Sequence, residues 1–216
     1  MSSSRPFNPS AWMSQMPSFF SRLRPNDIIL PGTWQSGDYY RDSHEGARKW
    51  WSSLFSSTSG LFGTPSPRHF YNLLEQLRSG IRYLDLRFDS KYEIISAANY
   101  PTISLNEVLR DVLTFYHSQP EEIILIEISV DAQESNLTPF LDIIMSKWKR
   151  CLCLNLNNNK FYSSIGEMRS SGRRLILFLN QIYHDYVDYI WPAYLIKPPR
   201  ETPHQYPNER REKLRS

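Results

Sequence analysis

Nearly continuous apolar runs alternate along the chain with stretches in which apolar residues recur every three or four positions. The runs at residues 123–129 and 174–179 are the clearest, and they are typical of strands covered on both faces. Residues 82–87 predict a third strand, and residues 28–31 and 92–96 predict two more. Such strands alternating with helices indicate an α/β fold built on a parallel sheet.

The first stretch with helical spacing lies between two of these strands. Phe70, Leu73, Leu74 and Leu77 stand at i, i+3, i+4 and i+7. Gly80 follows at the position where many helices end on a left-handed residue. The pattern predicts a helix that begins near Phe70 and ends just before the next strand.

Two further helices are predicted. Ser104 and Glu107 have the spacing of a capping box, in which each side chain binds the backbone amide of the other residue. Apolar residues at helical spacing follow, and Pro120 ends the pattern. A third helix is predicted at about residues 135–150.

The two ends of the chain differ in composition from the middle. Residues 1–26 are rich in Pro and Ser and are expected to form an extension packed on the domain. Residues 197–216 combine prolines with a basic cluster. They bury too little apolar surface to offset the entropy of ordering, which predicts a tail. Residues 27–196 are then expected to form a single domain.

Composition supports one globular domain, since 40% of the 216 residues are hydrophobic. The formal charge of +3 is a small excess of 25 basic over 22 acidic residues, so no nucleic-acid partner is expected. No apolar stretch approaches the ~18 residues that a membrane span needs, which predicts a cytoplasmic protein. Cys151 and Cys153 are too close in sequence for an unstrained disulfide, and two buried thiols are expected.

Candidate chemistry follows from the parallel sheet, because the carboxyl ends of its strands share one edge where binding loops converge. The polar residues at those ends are Thr33, Gln35, Ser36, Asp85, Arg87, Ser96, Glu127, Ser129, Asn180 and Gln181. Arg87 could bind a phosphate group through two hydrogen bonds, with Asp85 fixing its orientation. The spacing fits equally well an internal ion pair between two layers of the fold.

Two blocks of sequence carry a resemblance to a known family. Residues 29–37 (ILPGTWQSG) and residues 77–87 (LRSGIRYLDLR) resemble the X domain of phosphatidylinositol-specific phospholipase C, particularly the small eukaryotic X-domain-containing proteins. Further matches lie in the same order along most of residues 12–207.

The resemblance implies a distorted TIM-type (β/α) barrel that cleaves a phosphodiester by acid–base catalysis. In that family two histidines transfer the protons, and an arginine or calcium balances the phosphate charge. The resemblance places Asp85 and Arg87 in the catalytic centre and implies substrate binding by Gln35, Ser36, Arg87 and Glu127. No metal and no cofactor are expected, because Arg87 would supply the positive charge. About five of the eight strands are identifiable, so the barrel is expected to be incomplete.

Both family histidines are replaced in this chain. Trp34 follows Pro-Gly-Thr where the first histidine is expected, and Ser96 or Ala97 stands at the second position. Neither an indole nor a serine hydroxyl transfers protons near neutral pH, and a positioned acid or base contributes ~10² to 10⁴ in rate. The chain is therefore expected to be a catalytically impaired protein of lipid metabolism or signalling that keeps a pocket for phosphate or an inositol lipid.

Two alternatives remain open. The chain could be an active phosphodiesterase with a substitute acid or base, for which His44 is the best placed histidine in sequence, while His69, which is expected to begin a helix, and His117 read as solvated or capping residues. The chain could also be a truncated, non-functional fragment of a longer X-domain protein.

The stretch that holds Trp50, Trp51, Leu54 and Phe55 has an amphipathic pattern beside basic residues. It fits either insertion at a lipid headgroup boundary or closure of one end of the barrel. Inositol phospholipid and peripheral membrane contact are therefore candidate partners, and no protein partner can be identified.

Overall fold

The computed structural model describes residues 6–39, 69–95, 103–131, 137–155, 163–179 and 186–195. The strands are β1 (Gly32–Thr33), β2 (Tyr83–Phe88), β3 (Ile124–Val130), β4 (Leu175–Leu179) and β5 (Ile190–Pro192). The α-helices are α1 (Leu73–Arg78), α2 (Leu105–Ser118), α3 (Leu137–Trp148) and α4 (Ile165–Ser171). Short 3₁₀ helices lie at Pro9–Ala11, Met13–Gln15, Ser18–Arg22, Pro25–Asp27 and Ala193–Leu195.

The five strands form one parallel sheet in the order β1-β2-β3-β4-β5. Within the described residues this sheet is open, with β1 and β5 at its edges. The register places Asp85 beside Glu127 and Arg87 beside Ser129. The predicted α/β fold with about five parallel strands is confirmed.

The two faces of the sheet bury different clusters because side chains alternate along each strand. On the outer face, Leu84 and Leu86 of β2 join one large apolar cluster with residues of α1, α2 and α3. On the inner face, Leu125 of β3, Ile176 of β4 and Trp191 of β5 join a second cluster. The helices α1, α2 and α3 therefore cover one face of the sheet, and the second cluster, which includes Ile165 and Met168 of α4, fills part of the other.

The inner face changes character along the strands. Its second cluster includes Met13 and Phe20 of the N-terminal segment, which are 1% and 4% exposed. Towards the carboxyl ends, Asp85 and Glu127 replace the apolar residues. The N-terminal segment thus packs on the apolar part of this face, and the polar part lies at the edge where a site was predicted.

A buried ion pair ties the N-terminal segment to the sheet. Arg82, which is 0% exposed, lies 2.7 Å from the Glu122 carboxylate. Its guanidinium also donates to the carbonyls of Leu77 at 2.7 Å, Ser10 at 2.9 Å and Pro9 at 3.3 Å. Burial lowers the pKa of Arg82 and raises that of Glu122, and their mutual attraction opposes both shifts.

Glu122 binds the same segment from the other side of the pair. Its carboxylate accepts hydrogen bonds from the backbone amides of Met13 at 3.4 Å and Ser14 at 3.2 Å. The indole nitrogen of Trp12 donates to the carbonyl of Gly80 at 3.0 Å. These contacts join the N-terminal segment, the turn before β2 and the turn before β3.

The capping box and the glycine predicted from the sequence are confirmed. The amide of Ser104 donates to the Glu107 carboxylate at 2.9 Å, and the Glu107 amide donates to Ser104 Oγ at 3.4 Å. Gly80 has φ +106°. The helix before it starts later than predicted, however, because Asn72 caps it and Phe70 lies outside it with 86% of its surface exposed.

Two predicted strands are wrong. Residues 28–31 precede β1 rather than form it, and they follow a 3₁₀ helix. The ladder begins at Gly32, where an added Cβ would lie 2.8 Å from the Tyr83 ring, so only glycine permits this approach of the strands. In the second of these, predicted at residues 92–96, the described residues 92–95 contribute antiparallel bridges at Glu93 and Ile94 and no strand of the parallel sheet.

Two elements were missed in the sequence. β5 is only three residues long and ends in a proline, which is poor evidence for a strand. α4 begins with a capping box at Ser164 and Glu167, a signal that the sequence does contain.

Cys151 and Cys153 are free thiols, 8% and 4% exposed, as predicted. No helix in the described part of the chain has the length and apolar character needed to cross a bilayer.

We expect Arg82→Met to lower the free energy of unfolding by about 3–5 kcal/mol, because it leaves the Glu122 carboxylate buried without its cation. Urea unfolding followed by circular dichroism measures this loss. Arg110→Met is the control, because that guanidinium pairs with Asp111 with 67% of its side chain exposed and should cost less than about 1 kcal/mol. Equal losses in the two variants would contradict the role given to the buried pair.

We expect neither cysteine of the folded protein to react with an aromatic disulfide reagent at about pH 8, because both thiols are buried and the thiolate is the reactive form. Burial raises the pKa of Cys153 to about 11. Both thiols should react promptly once the chain is unfolded in guanidinium chloride. Rapid labelling of the folded protein would show that this part of the core opens readily.

Candidate phosphate-binding site at the carboxyl edge

The corner at residues 33–36 is fixed to β2 through Ser36. The Ser36 amide donates to the Asp85 carbonyl at 2.8 Å, and Ser36 Oγ accepts from the Asp85 amide at 2.9 Å. Ser36 Oγ also donates to the Thr33 carbonyl at 2.9 Å. Ser36 is 0% exposed, and its role in substrate binding stays a prediction. Its hydroxyl supports the corner from inside.

Gln76 of α1 holds the same corner from the opposite side. Its Nε2 donates to the Ser36 carbonyl and to the Tyr71 carbonyl, each at 2.8 Å. Its Oε1 accepts from the Thr33 hydroxyl at 2.8 Å. The side chain is 3% exposed, so the corner is clamped between a strand and a helix by hydrogen bonds shielded from water.

Gln35 occupies an unusual position within this corner. Its φ of +51° lies in the left-handed region, which costs a non-glycine residue about 1–3 kcal/mol. Its backbone amide points at the Asp85 carboxylate, with 3.4 Å between N and Oδ2. Among the described residues, no hydrogen-bond donor reaches Gln35 Oε1, although that atom is buried.

Two carboxylates stand side by side on the inner face. Asp85 and Glu127 are register partners on β2 and β3, and they are 5% and 6% exposed. The Tyr83 hydroxyl donates to the Glu127 carboxylate across the two strands. This bond orients Glu127 towards the inner face of the sheet.

Arg87 is the exposed residue of β2, and it follows Asp85 on the same face. Within the part of the chain that the structure describes, no carboxylate lies within ion-pair distance of its guanidinium. Neither the predicted orientation of Arg87 by Asp85 nor an ion pair between them is therefore seen. The guanidinium remains available to an anion at the sheet edge.

Trp34 lies at the rim of the corner with half of its surface exposed. His69 Nε2 lies 2.8 Å from the Trp34 carbonyl oxygen. A carbonyl can only accept, so Nε2 carries the proton in this contact, and Nδ1 of a neutral ring keeps its lone pair. His69 precedes the cap of α1 and does not begin a helix, which corrects the sequence-based prediction.

Several predicted residues lie outside the described part of the chain. They are Ser96, Ala97, Asn180, Gln181, His44 and the apolar stretch at Trp50, Trp51, Leu54 and Phe55. Ile95, the last described residue before Ser96, donates its amide to the Arg87 carbonyl at 2.9 Å.

The structure thus brings together Trp34, Gln35, Ser36, Asp85 and Glu127 with Arg87 at one edge of the sheet. Sequence reasoning missed Gln76, Tyr83 and His69. The i, i+3 and i+4 pattern makes Gln76 look like an ordinary polar helix residue, and no local signal links His69 to the corner. Tyr83 could have been found, since strand alternation puts it on the face of Asp85.

This arrangement can bind and orient better than it can transfer protons. It presents one exposed guanidinium, two buried carboxylates and an uncharged amide. Arginine matches the geometry of a phosphate group with paired hydrogen bonds. In the described ranges, no three His, Cys, Asp or Glu side chains cluster in a way that could hold a metal ion.

Comparison with known proteins agrees with this architecture. No protein-family model matches the chain. A PI-PLC X domain-containing protein 3 of Danio rerio is 23% identical in an alignment 129 residues long, and the match covers 54% of this chain and 40% of that protein.

Solved phospholipase structures match the fold. The phosphatidylinositol-specific phospholipase C of Listeria monocytogenes matches with a TM-score of 0.52 and 21% identity, over 80% of this chain and 57% of that enzyme. A Staphylococcus aureus phosphatidylinositol-specific phospholipase C matches with a TM-score of 0.55 and 17% identity, over 84% and 55%. The chain therefore spans about half the length of the relatives that it matches. These likenesses show a TIM-barrel-like fold, in which the sheet formed by the described residues is not closed. The similarity to the Danio rerio protein supports a relationship with the PI-PLC X-domain proteins.

Proposed function

We propose that this chain is a phospholipase C X-domain-like protein with impaired catalysis that binds the phosphate group of an inositol phospholipid. The observation that carries the proposal is Arg87, an exposed guanidinium at the carboxyl edge of the sheet beside a corner that holds an indole at Trp34. In this proposal Arg87 binds the phosphate group, and Trp34 occupies the position where a proton-transferring side chain is expected.

The binding half of the proposal rests on charge and geometry. A guanidinium keeps its charge at any physiological pH and can offer two parallel N–H groups to phosphate oxygens. Glu127, held by Tyr83, and the side-chain carboxamide of Gln35 are the proposed partners for hydroxyl groups of the ligand. The Asp85 carboxylate accepts a hydrogen bond from the backbone amide of Gln35 and in this proposal supports the corner.

The impaired half of the proposal rests on residue chemistry. Trp34 has no proton to transfer near neutral pH. Ser96, the residue proposed at the second family position, has a hydroxyl whose pKa is far from the working range of a general acid. Losing both groups should remove on the order of 10⁴ or more in rate if their effects are not wholly coupled.

The setting of this function is part of the same proposal. We place the domain at residues 27–196, preceded by an extension and followed by a basic tail, in the cytoplasm with peripheral membrane contact. An inositol phospholipid headgroup is the proposed ligand, and we propose neither a metal nor a nucleic-acid partner.

One observation favours a second candidate function, that of an active phosphodiesterase with a substitute proton carrier. His69 is hydrogen-bonded to the backbone carbonyl of Trp34, the residue proposed to stand in place of the first family histidine. Imidazole is the side chain best suited to proton transfer near neutral pH. His69, rather than His44, is the histidine that the described residues bring to the corner.

We expect Arg87→Met to weaken binding to vesicles that contain phosphatidylinositol by roughly 10- to 100-fold, since a hydrogen bond to a charged group is worth about 1.5–3 kcal/mol. Vesicle flotation with and without phosphatidylinositol measures this change. Arg110→Met is the matched control, because it removes an exposed arginine from α2. If Arg87→Met binds these vesicles as well as the parent does, Arg87 is not the phosphate anchor.

We expect the parent protein to release inositol phosphate from phosphatidylinositol at least about 10⁴-fold more slowly than an active bacterial phospholipase C. His69→Gln should then leave the measured rate unchanged. Turnover that His69→Gln abolishes would establish the second candidate instead. The double variant Trp34→His with Ser96→His tests separately whether the scaffold can support turnover.

A further inference from the structure

Both polar atoms of the Gln76 carboxamide bind the corner that carries the candidate site. Each of its three hydrogen bonds is 2.8 Å long, and the acceptors and donor belong to Thr33, Ser36 and Tyr71. The bonds to Thr33 and Ser36 hold the chain on the two sides of Gln35. Because both flanking residues are fixed, the backbone at Gln35 has little freedom to leave its left-handed conformation.

Gln35 carries a hydrogen-bonding group that the rest of the described protein does not satisfy. Its Oε1 is buried and receives no donor from the described residues. An unpaired buried acceptor is unfavourable, and such groups are rare in folded proteins. The combination of a strained backbone and an unpaired acceptor is typical of positions where a ligand completes the structure.

We propose that Gln76 is a positioning residue that holds Gln35 ready to accept a hydrogen bond from a hydroxyl group of a phosphorylated polyol. The proposal rests on the proposed function, in which Arg87 binds the phosphate of the same ligand. Gln35 Oε1 is the atom that would accept this hydrogen bond. A ligand hydroxyl then supplies the donor that the protein lacks.

In this proposal the site has two parts that bind different groups of the ligand. Arg87 recognises charge and binds any phosphate, whereas the pair of Gln76 and Gln35 recognises the hydroxyl groups that distinguish a polyol phosphate from inorganic phosphate. A purely structural Gln76 would affect stability and leave the preference between these two ligands unchanged. The preference is therefore the quantity to measure.

Titration calorimetry with inorganic phosphate, myo-inositol and myo-inositol 1-phosphate tests the proposal. Gln76→Met should weaken myo-inositol 1-phosphate binding by about 10-fold and change phosphate binding by less than about twofold. Gln35→Met should have the same effect, and the double variant should be no weaker than either single variant, since Gln76 acts through Gln35. Arg87→Met should weaken the binding of both inorganic phosphate and myo-inositol 1-phosphate.

Gln15→Met is the matched control, because the amide of Gln15 also donates to two backbone carbonyls but lies on the N-terminal segment. It should leave every affinity unchanged. If Gln76→Met does not fold, Thr33→Val removes one of the clamping bonds and replaces it in the series, with the same expected loss of preference.

If folded Gln76→Met protein prefers myo-inositol 1-phosphate over inorganic phosphate as strongly as the parent does, the inference is overturned. The proposed phosphate site is unaffected by that result. Additive losses in the double variant overturn it as well, because Gln76 would then act independently of Gln35. A parent that binds neither myo-inositol nor myo-inositol 1-phosphate also overturns it. Binding of myo-inositol that depends on Gln76, without any phosphate binding, supports the inference and removes the proposed phosphate function.

Discussion

The buried ion pair between Arg82 and Glu122 fixes the N-terminal segment on the inner face of the sheet. The candidate site lies on the part of that face which the segment leaves uncovered. A charge inside a protein is tolerated only when it is paired and its remaining hydrogen-bonding groups are used. Arg82 meets that condition with carbonyls of the N-terminal segment, and Glu122 meets it with amides of the same segment. The pair therefore fixes the segment that packs Met13 and Phe20 on the inner face.

That packing divides the inner face into two regions with different physical demands. Towards the amino ends of the strands, side chains such as Leu125 and Ile176 are kept from water by the segment. Towards the carboxyl ends, Asp85 and Glu127 are nearly buried and need hydrogen-bond donors, which Gln35 and Tyr83 provide. Unfavourable features such as the left-handed Gln35 can persist there because the rest of the fold over-determines them.

The parts of the fold that the sequence predicted are those governed by local rules. The runs that became β3 and β4 are apolar on both faces, and the capping box at Ser104 uses residues three positions apart. The errors lie where contacts between residues far apart in the sequence determine the secondary structure. Residues 28–31 look like a strand, yet the ladder starts at Gly32, where the absence of a Cβ lets the backbone pack against the Tyr83 side chain. At the site, Arg87 was placed correctly at a strand end, but its lack of an ion pair with Asp85 depends on side-chain positions that spacing does not set.

The same contrast shows which atoms of the corner depend on the side chain at position 34. The described hydrogen bonds that hold residues 33–36 come from Thr33, Ser36, Gln76 and the backbone of Asp85. Trp34 enters this network through its backbone carbonyl, which any residue supplies. A substitution at position 34 therefore alters the chemistry at the rim and leaves these hydrogen bonds in place. The hydrogen bonds that hold the corner and the side chain presented at position 34 are therefore separable, because different atoms carry them.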